Sequence, residues 1–474
     1  MRRLIGREYE INRLDRVMAE EEAQLVIVYG RRRVGKTYLI SEYFENKFDF
    51  VFTGAYDKTT DEQLKNFGTE LSRAARKKID KPTDWTEAFY YLRDYIEAGN
   101  IENKQVIFFD EMPWMDRQRS GFLSAFEWFW NSWGCRRDNL VFIVCGSAAS
   151  WMTEKLDSNK GGLFNRQTCR LYLKPFTLRE AELYLNSRDI YWSRYDITQC
   201  YMIMGGIPYY LKLLDNRLTM NENIDNIFFK EKAELWDEFE HLYNTLFSNS
   251  EQYIKIVEQL SRKISGLTRE EMIKAAGVEG NGNLTKILSN LENSGFIRVN
   301  RLFGRKKREN IYQLCDYYSA FYFRFIKDNY GREENLWSNM VDNPSRNSWA
   351  GLTFEQVCRD HIGQIKKKLG ISGVMTEISL WRKIGNDYEK GTQIDMIIDR
   401  RDMTMNICEI KFSTHEYEID KDYDMSLKNK VEVFRGTTGT KKTLLPTMIT
   451  TYGIKRNKYS NYVSKEVCMD DLFE

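Results

Sequence analysis

The chain has 474 residues, enough for about three domains, and its 71 basic and 69 acidic side chains leave a formal net charge of +2. A hydrophobic content of 42 % with only six prolines excludes a disordered chain and a long flexible linker, and the balanced charge requires any nucleic-acid surface to be local. Eight scattered cysteines without a CxxC pair, and no apolar run near the roughly 18 residues of a membrane helix, favour a cytoplasmic protein without a zinc site or membrane contact.

The first informative segment joins an expected strand to an expected helix. Residues 24–29 are apolar and β-branched, and residues 38–44 have a helical pattern. Between them stands G-x-x-x-x-G-K-[ST], formed by Gly30, Arg31, Arg32, Arg33, Val34, Gly35, Lys36 and Thr37. This motif predicts a loop that wraps a phosphate with its backbone N–H groups. We assign Lys36 to the β- and γ-phosphates and Thr37 to Mg²⁺, and we include Tyr38 among the nucleotide contacts.

A later strand has four apolar residues, 106–109, and ends in a pair of acids. Asp110 is the expected Mg²⁺ ligand, and Glu111 is expected to orient and polarise the attacking water. The alternative is two solvated carboxylates at a strand end. The apolar run disfavours this alternative, because a buried strand directs both acids to the crevice that the phosphate loop occupies.

Strands and helices alternate over residues 1–175, which predicts an α/β ATPase core with a parallel sheet covered on both faces. The expected strands are 25–29, 49–53, 106–110, 140–145 and 170–173. Ser147 follows the fourth strand and is a candidate sensor of the γ-phosphate, with a cap of the next helix as the alternative. Arg166 is a candidate arginine finger, in cis or in trans, with a surface arginine as the alternative.

Residues 176–248 are expected to be helical and to form a small lid. A capping-box pattern begins at Thr177, and Gly205-Gly206-Ile207-Pro208 marks a break between helices.

Residues 249–315 predict a winged helix-turn-helix. Helices are expected at 251–262, from 268 and at 283–293, and strands at 296–300 and 309–314. The third helix would enter a DNA major groove and the wing would lie on phosphates. The candidate base-reading residues are Asn281, Asn283, Thr285, Lys286 and Asn290, and the basic wing residues are Arg301, Arg305, Lys306, Lys307 and Arg308. The alternative is a module that packs only against protein.

Residues 316–474 carry a second chemical pattern. We expect a helix over 352–369 and strands over 374–383, 393–398 and 405–411. A hairpin of the last two strands would bring Asp395 opposite Cys408 or Glu409. Glu355, Asp395 and Glu409 are then candidate Mg²⁺ ligands, and Lys411 is the candidate catalytic lysine of a PD-(D/E)xK nuclease-like domain. The alternatives are an ion-paired strand edge and a nuclease fold without activity.

These motifs together resemble the archaeal-type P-loop ATPase family, which is related to the AAA+ and signal-transducing NTPase groups. The matching segments are Ile5-Gly6-Arg7-Glu8, the phosphate loop, Phe109-Asp110-Glu111, Cys145-Gly146-Ser147, Leu173-Lys174-Pro175-Phe176, the 205–208 segment and Asp395/Glu409/Lys411. The resemblance implies ATP and Mg²⁺ as cofactors, Ile5 or Gly6 against the adenine, and a C-terminal winged helix and restriction-endonuclease-like domain. It implies no known cellular role.

Three functions are compatible with these features. The first is an ATP-hydrolysing protein that couples nucleotide state to a DNA-binding winged helix and a Mg²⁺-dependent nuclease-like domain. The second is an ATP-dependent regulatory switch that binds DNA or protein without cleavage. The third is a signalling ATPase whose basic wing meets an acidic partner. DNA is the expected partner of the winged helix, and a homo-oligomer or a partner protein remains open.

Overall fold

The computed structural model describes residues 4–99, 102–157, 162–163, 165–306, 309–329, 333–383, 385 and 391–474. The chain divides into two compact units, Met1–Pro175 and Phe176–Glu474. Two residues of the expected basic wing, Lys307 and Arg308, lie outside the described residues. Within the described ranges, no helix is both long enough and apolar enough to cross a membrane.

The first unit is built on a five-stranded parallel sheet. Its strands are β1 (Gln24–Tyr29), β2 (Phe50–Thr53), β3 (Gln105–Asp110), β4 (Leu140–Gly146) and β5 (Cys169–Tyr172). Its helices are α1 (Glu8–Ala19), α2 (Lys36–Tyr43), α3 (Thr60–Ala75), α4 (Trp85–Glu97), α5 (Phe122–Ser132) and α6 (Ala149–Trp151). The strand order is β2-β3-β4-β1-β5, and each neighbouring pair is parallel.

Both faces of this sheet are buried. Val26 and Val28 pack in a cluster with residues of α1 and α2, whereas Leu25 and Ile27 belong to an aromatic-rich cluster with residues of α3, α4 and α5. Alternate residues of a strand face opposite sides of a sheet, so helices cover β1 on both sides. The α/β prediction with a parallel sheet is confirmed, and each predicted strand boundary in this unit lies within one residue of the observed one.

The second unit begins with a run of helices. They are α7 (Leu178–Asn186), α8 (Arg194–Met204), α9 (Pro208–Leu211), α10 (Met220–Ile224) and α11 (Glu238–Leu246). Thr177 and Glu180 form the predicted capping box at the start of α7. Gly205 ends α8 with a left-handed φ of +61°, and a Cβ on Gly206 would lie 1.9 Å from the carbonyl oxygen of Phe176. Gly205 is required because of its backbone conformation, and Gly206 is required because the backbone of Phe176 approaches it closely.

Residues 250–314 form three main helices and a small antiparallel sheet. The elements are α12 (Ser250–Arg262), β6 (Leu267–Thr268), α13 (Arg269–Ala276), α14 (Gly282–Asn293), β7 (Ile297–Asn300) and β8 (Ile311–Leu314). The central strand β8 pairs with both β6 and β7. The sequence did not predict β6, because two residues are too short to show a strand period.

The remainder of the second unit contains a five-stranded mixed sheet. The helices and strands of this remainder are α15 (Tyr317–Phe321), α16 (Leu336–Asn339), α17 (Pro344–Asp360), α18 (Ile362–Lys368), β9 (Thr376–Lys383), β10 (Thr392–Arg400), β11 (Thr404–Lys411), β12 (Tyr417–Glu418), α19 (Lys421–Thr438), β13 (Thr443–Thr450), β14 (Ile454–Lys455) and β15 (Lys465–Cys468). Strands β12 and β14 pair with each other in a separate two-stranded sheet, and the other five form the mixed sheet. The order is β15-β13-β11-β10-β9. Strands β9, β10 and β11 are antiparallel neighbours, whereas β11, β13 and β15 are parallel.

The predicted single helix over 352–369 is wrong in extent. The structure has two helices, α17 and α18, and α17 begins earlier because the Asn343 side chain caps its first turn. The helices meet at His361, whose backbone leaves helical geometry. Its buried ring bonds to the carbonyl oxygen of Val357 and accepts from the backbone N–H of Leu178. A long-range contact of one side chain therefore accompanies the break, which local periodicity does not reveal.

The loop after β7 is joined to the mixed sheet. The N–H of Phe303 donates to the carbonyl of Leu380 at 2.8 Å, and the N–H of Leu380 donates to the carbonyl of Arg301 at 3.0 Å. The Phe303 ring packs 5.3 Å from the ring of Phe434 on α19. Residues 301–303 of the expected wing therefore continue along the outer edge of β9.

Gly206→Ala is expected to destabilise the protein by about 1–3 kcal/mol, because the new methyl group collides with the backbone at Phe176. The control is Gly363→Ala on α18, where nothing lies within 4 Å of the added Cβ. Removing that exposed helical glycine should raise stability by about 0.5–1 kcal/mol. Thermal and urea unfolding of both variants measures the effects, and equal stability of the two would contradict this account of Gly206.

Candidate nucleotide site and C-terminal acid cluster

The phosphate loop connects β1 to α2 and has a conformation that its glycines permit. Gly35 is left-handed, with φ +90°, and a Cβ at Gly30 would lie 2.3 Å from the carbonyl oxygen of Leu173. Lys36 is buried, and its ammonium donates to the carbonyls of Gly30 at 3.0 Å and Arg31 at 2.9 Å. The loop thus curls around the tip of Lys36, with the first backbone N–H groups of α2 beside it.

Thr37 and Asp110 meet across the sheet edge. The Thr37 hydroxyl donates to Asp110 Oδ2 at 2.8 Å, and the other carboxylate oxygen accepts from the backbone N–H of Glu111 at 3.0 Å. Asp110 is only 6 % exposed. A hydroxyl and a buried carboxylate at this spacing fit the hard-oxygen preference of Mg²⁺, so these two residues suit the metal that the phosphate loop implies.

Glu111 is held by the end of the neighbouring strand. It adopts a left-handed backbone conformation, and its carboxylate accepts from both the hydroxyl of Ser147 at 2.8 Å and the N–H of Ser147 at 3.1 Å. The side chain of Ser147 therefore binds Glu111 and does not cap the helix that follows. Since β3 and β4 are parallel neighbours, their ends bring these residues together.

Arg7 is a component of this site that the sequence did not single out. Its buried guanidinium donates to the carbonyl of Lys174 at 2.8 Å and to the carbonyl of Val34 at 3.1 Å. It therefore ties the segment carrying Ile5 and Gly6, the expected adenine contacts, to the phosphate loop. The only signal for Arg7 in the sequence was its position in Ile5-Gly6-Arg7-Glu8, the segment that resembles the ATPase family.

Two other predicted nucleotide contacts are less enclosed. Tyr38 is 47 % exposed on the first turn of α2. Arg166 lies exposed in the turn before β5, and its side chain makes no hydrogen bond within the described part of the chain. The structure thus brings together Lys36, Thr37 and Asp110, with Glu111 and Ser147 adjacent, but does not join Arg166 to them.

The acids of the second unit also converge. The antiparallel register pairs Met396 with Cys408, so one step further Asp395 lies opposite Glu409, one of the two partners that the sequence left open. Asp395 Oδ2 accepts from the backbone N–H of Ile410 at 3.0 Å. Burial first, and then the nearby charge of Asp395, raise the pKa of Glu355 to about 8 and also raise the pKa of Glu409.

Basic side chains already neutralise part of this cluster. Lys430 of α19 donates to Glu409 at 2.6 Å, and Arg359 donates to Glu355 at 2.8 Å. The ammonium of Lys411 lies 3.9 Å from Glu409. Among the described residues, no group of three or more His, Cys, Asp or Glu side chains is placed to hold a metal ion. The Mg²⁺ site of Glu355, Asp395 and Glu409 therefore stays a prediction.

Sequence comparison identifies relatives of both halves. Residues 4–214 match an ATPase domain predominantly from Archaea, and residues 322–422 match a family of archaeal and bacterial proteins of unknown function. An uncharacterized protein of Methanocaldococcus jannaschii is 25 % identical over 434 residues, covering 90 % of this chain and 92 % of that protein. An uncharacterized ATP-binding protein of the same organism is 51 % identical over 43 residues, covering 9 % of this chain and 73 % of that protein.

The solved structures to which the chain is similar include a Walker-type ATPase of Pyrococcus abyssi. It is 18 % identical, with a TM-score of 0.49, and the match covers 68 % of this chain and 96 % of that one. Cdc6p from Pyrobaculum aerophilum is 12 % identical, with a TM-score of 0.34, covering 76 % of this chain and 96 % of that one.

Glu355 makes the stability of the protein pH-dependent. Its pKa of about 8 in the fold, against 4.5 as the ordinary value, favours the neutral carboxyl in the native state. The wild type should therefore lose stability as pH rises from 4.5 through 8, and Glu355→Gln should lose less. Melting temperatures at pH 5 and pH 9 measure the difference, and the exposed Glu377→Gln serves as control. Parallel pH profiles for wild type and Glu355→Gln would contradict the prediction.

Proposed function

Since the chain carries an archaeal-type P-loop ATPase domain, we propose that this domain hydrolyses ATP with Mg²⁺ and that its nucleotide state controls a DNA-directed second unit. The observation that carries the ATPase assignment is the 2.8 Å contact between Thr37 and Asp110, beside the buried ammonium of Lys36. These residues come from α2 and from β3, so their meeting depends on the sheet and not on the motif alone.

Each residue at this edge has a chemical role. Lys36 exchanges its carbonyl partners for phosphate oxygens and stabilises their negative charge. Thr37 and Asp110 would hold Mg²⁺, which would supply positive charge to neutralise the triphosphate. Glu111 accepts a hydrogen bond from water and orients it for attack on the γ-phosphorus. Ser147 holds the Glu111 carboxylate and releases it when the water or the γ-phosphate competes for these bonds.

The DNA-directed role is supported by the elements of residues 250–314. Three helices followed by β7 and β8 have the order of a winged helix-turn-helix, with β6 as the short strand paired to β8. Thr285 and Lys286 are exposed on α14, the helix proposed to contact bases. The wing is a different case, because Arg301 pairs with Glu377 and the adjacent backbone bonds to Leu380. We therefore propose that α14, and not the wing, makes the principal contact with DNA.

A second candidate function is Mg²⁺-dependent cleavage of DNA by the mixed-sheet domain. The observation that favours it is the convergence of Asp395, Glu409 and Lys411 on β10 and β11, with Glu355 close enough to be affected by their charge. Ion pairs with Arg359 and Lys430 favour the alternative, a regulatory switch whose mixed-sheet domain recognises a ligand without cutting.

Glu111→Gln is expected to retain binding of ATP and to lower kcat by about 10²- to 10⁴-fold, because the amide cannot take up the role of the carboxylate. Lys36→Ala should lose ATP binding itself. Phosphate release and fluorescent-ATP binding, measured on the same preparations, separate the two effects. The exposed Glu45→Gln is the control and should match the wild type. Wild-type hydrolysis by Glu111→Gln would contradict the assignment.

Plasmid cleavage separates the nuclease from the switch. Supercoiled plasmid is incubated with wild type, Asp395→Asn and Lys411→Ala, with Mg²⁺ and with or without ATP. If the mixed-sheet domain cuts DNA, the wild type nicks the plasmid and both variants lose at least about 10²-fold in rate. No nicking by the wild type, with ATP hydrolysis intact, excludes cleavage under these conditions and favours the regulatory switch. Nicking that persists in both variants rules out this site.

A further inference from the structure

A cavity of about 760 Å³ lies in the second unit between β7, the end of α17 and the strands β9 and β10. This volume is within the range of about 300–1,000 Å³ that is typical of small-ligand sites. Two of the lining residues are acids, Glu377 and Asp399, and six are basic. The basic residues are Arg298, Arg301, Arg359, Arg400, Arg401 and Lys442. The wall of the cavity therefore has a positive excess that the near-neutral charge of the whole chain does not suggest.

Three of these arginines have an unsatisfied donor. The Nε atoms of Arg298, Arg359 and Arg400 are buried and have no hydrogen-bond partner in the described ranges. A buried donor without a partner costs about 1–3 kcal/mol, and native proteins satisfy nearly all such groups. A terminal nitrogen of each guanidinium group already donates to an acid, and an acceptor from outside the chain would satisfy the Nε donors that remain.

Ion pairs offset part of this positive excess, since Arg301 pairs with Glu377, Lys442 with Asp399 and Arg400 with Asp402. Arg298 pairs with Asp360 at 2.5 Å and Arg359 pairs with Glu355 at 2.8 Å, but neither acid lines the cavity. Arg401 is exposed and forms no ion pair with any described residue. Asp360 and Glu355 thus fix the guanidinium groups of Arg298 and Arg359 without occupying the cavity. Ion pairs of this kind leave the other N–H donors of an arginine available.

We propose that this cavity binds a phosphate-bearing ligand. Arginine forks match phosphate oxygens in geometry and charge, and the oxygens of one phosphate can accept from arginines that belong to separate elements. A carboxylate has only two oxygens and satisfies fewer of the converging donors. The phosphate belongs either to a free compound or to a nucleic-acid backbone. The site lies in the second unit, so it is distinct from the phosphate loop of the first unit.

Arg359 joins this cavity to the acid cluster. One of its terminal nitrogens donates to Glu355, and the other donates to Gln313 on β8 at 2.9 Å. A phosphate in the cavity competes with Glu355 for the same guanidinium. Occupancy of the phosphate site is therefore communicated to Glu355 through a single side chain.

The test uses the full-length chain carrying Lys36→Ala, so that phosphate probes do not report on the P-loop and the outcome is independent of ATP hydrolysis. Pyrophosphate binding is measured by calorimetry. A labelled single-stranded oligonucleotide is then followed by fluorescence anisotropy, with pyrophosphate as competitor. Pyrophosphate binding without competition identifies a free phosphate compound as the ligand. Mutual displacement identifies a nucleic-acid backbone, and its affinity should fall steeply with salt.

Arg298→Gln should weaken binding by about tenfold or more, because it removes a buried charged donor. Arg401→Gln should weaken binding by about three- to fivefold and, since Arg401 is exposed, does not threaten folding. Arg456→Gln is the matched control, an exposed arginine that pairs with Glu466 outside the cavity, and it should leave binding unchanged. The proposal is overturned if neither probe binds, or if the control lowers affinity as much as the two cavity variants do.

Discussion

Carboxylates and ammonium groups that are removed from water must find partners, and this constraint organises both chemical sites of the chain. In the first unit, parallel strands end at one edge, where Asp110 and Lys36 are each buried to within a few per cent of full enclosure. Asp110 is stabilised by the Thr37 hydroxyl and a backbone N–H, and Lys36 by two carbonyls. These interactions can be exchanged, because the partners of both charged groups are themselves uncharged. A triphosphate with its metal offers stronger partners to the same atoms.

The second unit meets the same constraint with ion pairs. Glu355 and Glu409 are pushed toward their neutral forms by burial and by Asp395, while Arg359 and Lys430 oppose that effect. Breaking one partner of a buried pair leaves an uncompensated charge, which explains why these basic residues belong to the cluster as much as the acids do. Because Arg359 also lines the basic cavity, the electrostatics of the acid cluster and of the cavity are coupled.

The loop after β7 illustrates how tertiary contacts reassign a local pattern. Its run of basic residues is typical of a phosphate-contacting wing. In the fold, the backbone around Leu302 pairs with β9, Phe303 packs on Phe434, and Arg301 forms an ion pair with Glu377. The contact of the loop after β7 with β9 makes the three-stranded sheet of β6, β7 and β8 a neighbour of the mixed sheet within the second unit. A ligand that alters either sheet can therefore affect the other.

The sequence by itself determined the phosphate loop, the five parallel strands, the capping box at Thr177 and the opposition of Asp395 to either Cys408 or Glu409. Each of these follows from a local spacing: a motif, a run of apolar residues, or the two-residue period of a hairpin. Only the tertiary structure decided that Ser147 binds Glu111, that Arg7 ties the amino-terminal segment to the loop, and that His361 divides a predicted helix. It also revealed Arg359 and Lys430 as partners of the acids. These interactions join residues from separate elements, and a partner chosen by burial and geometry across the fold leaves no periodic signal in the chain.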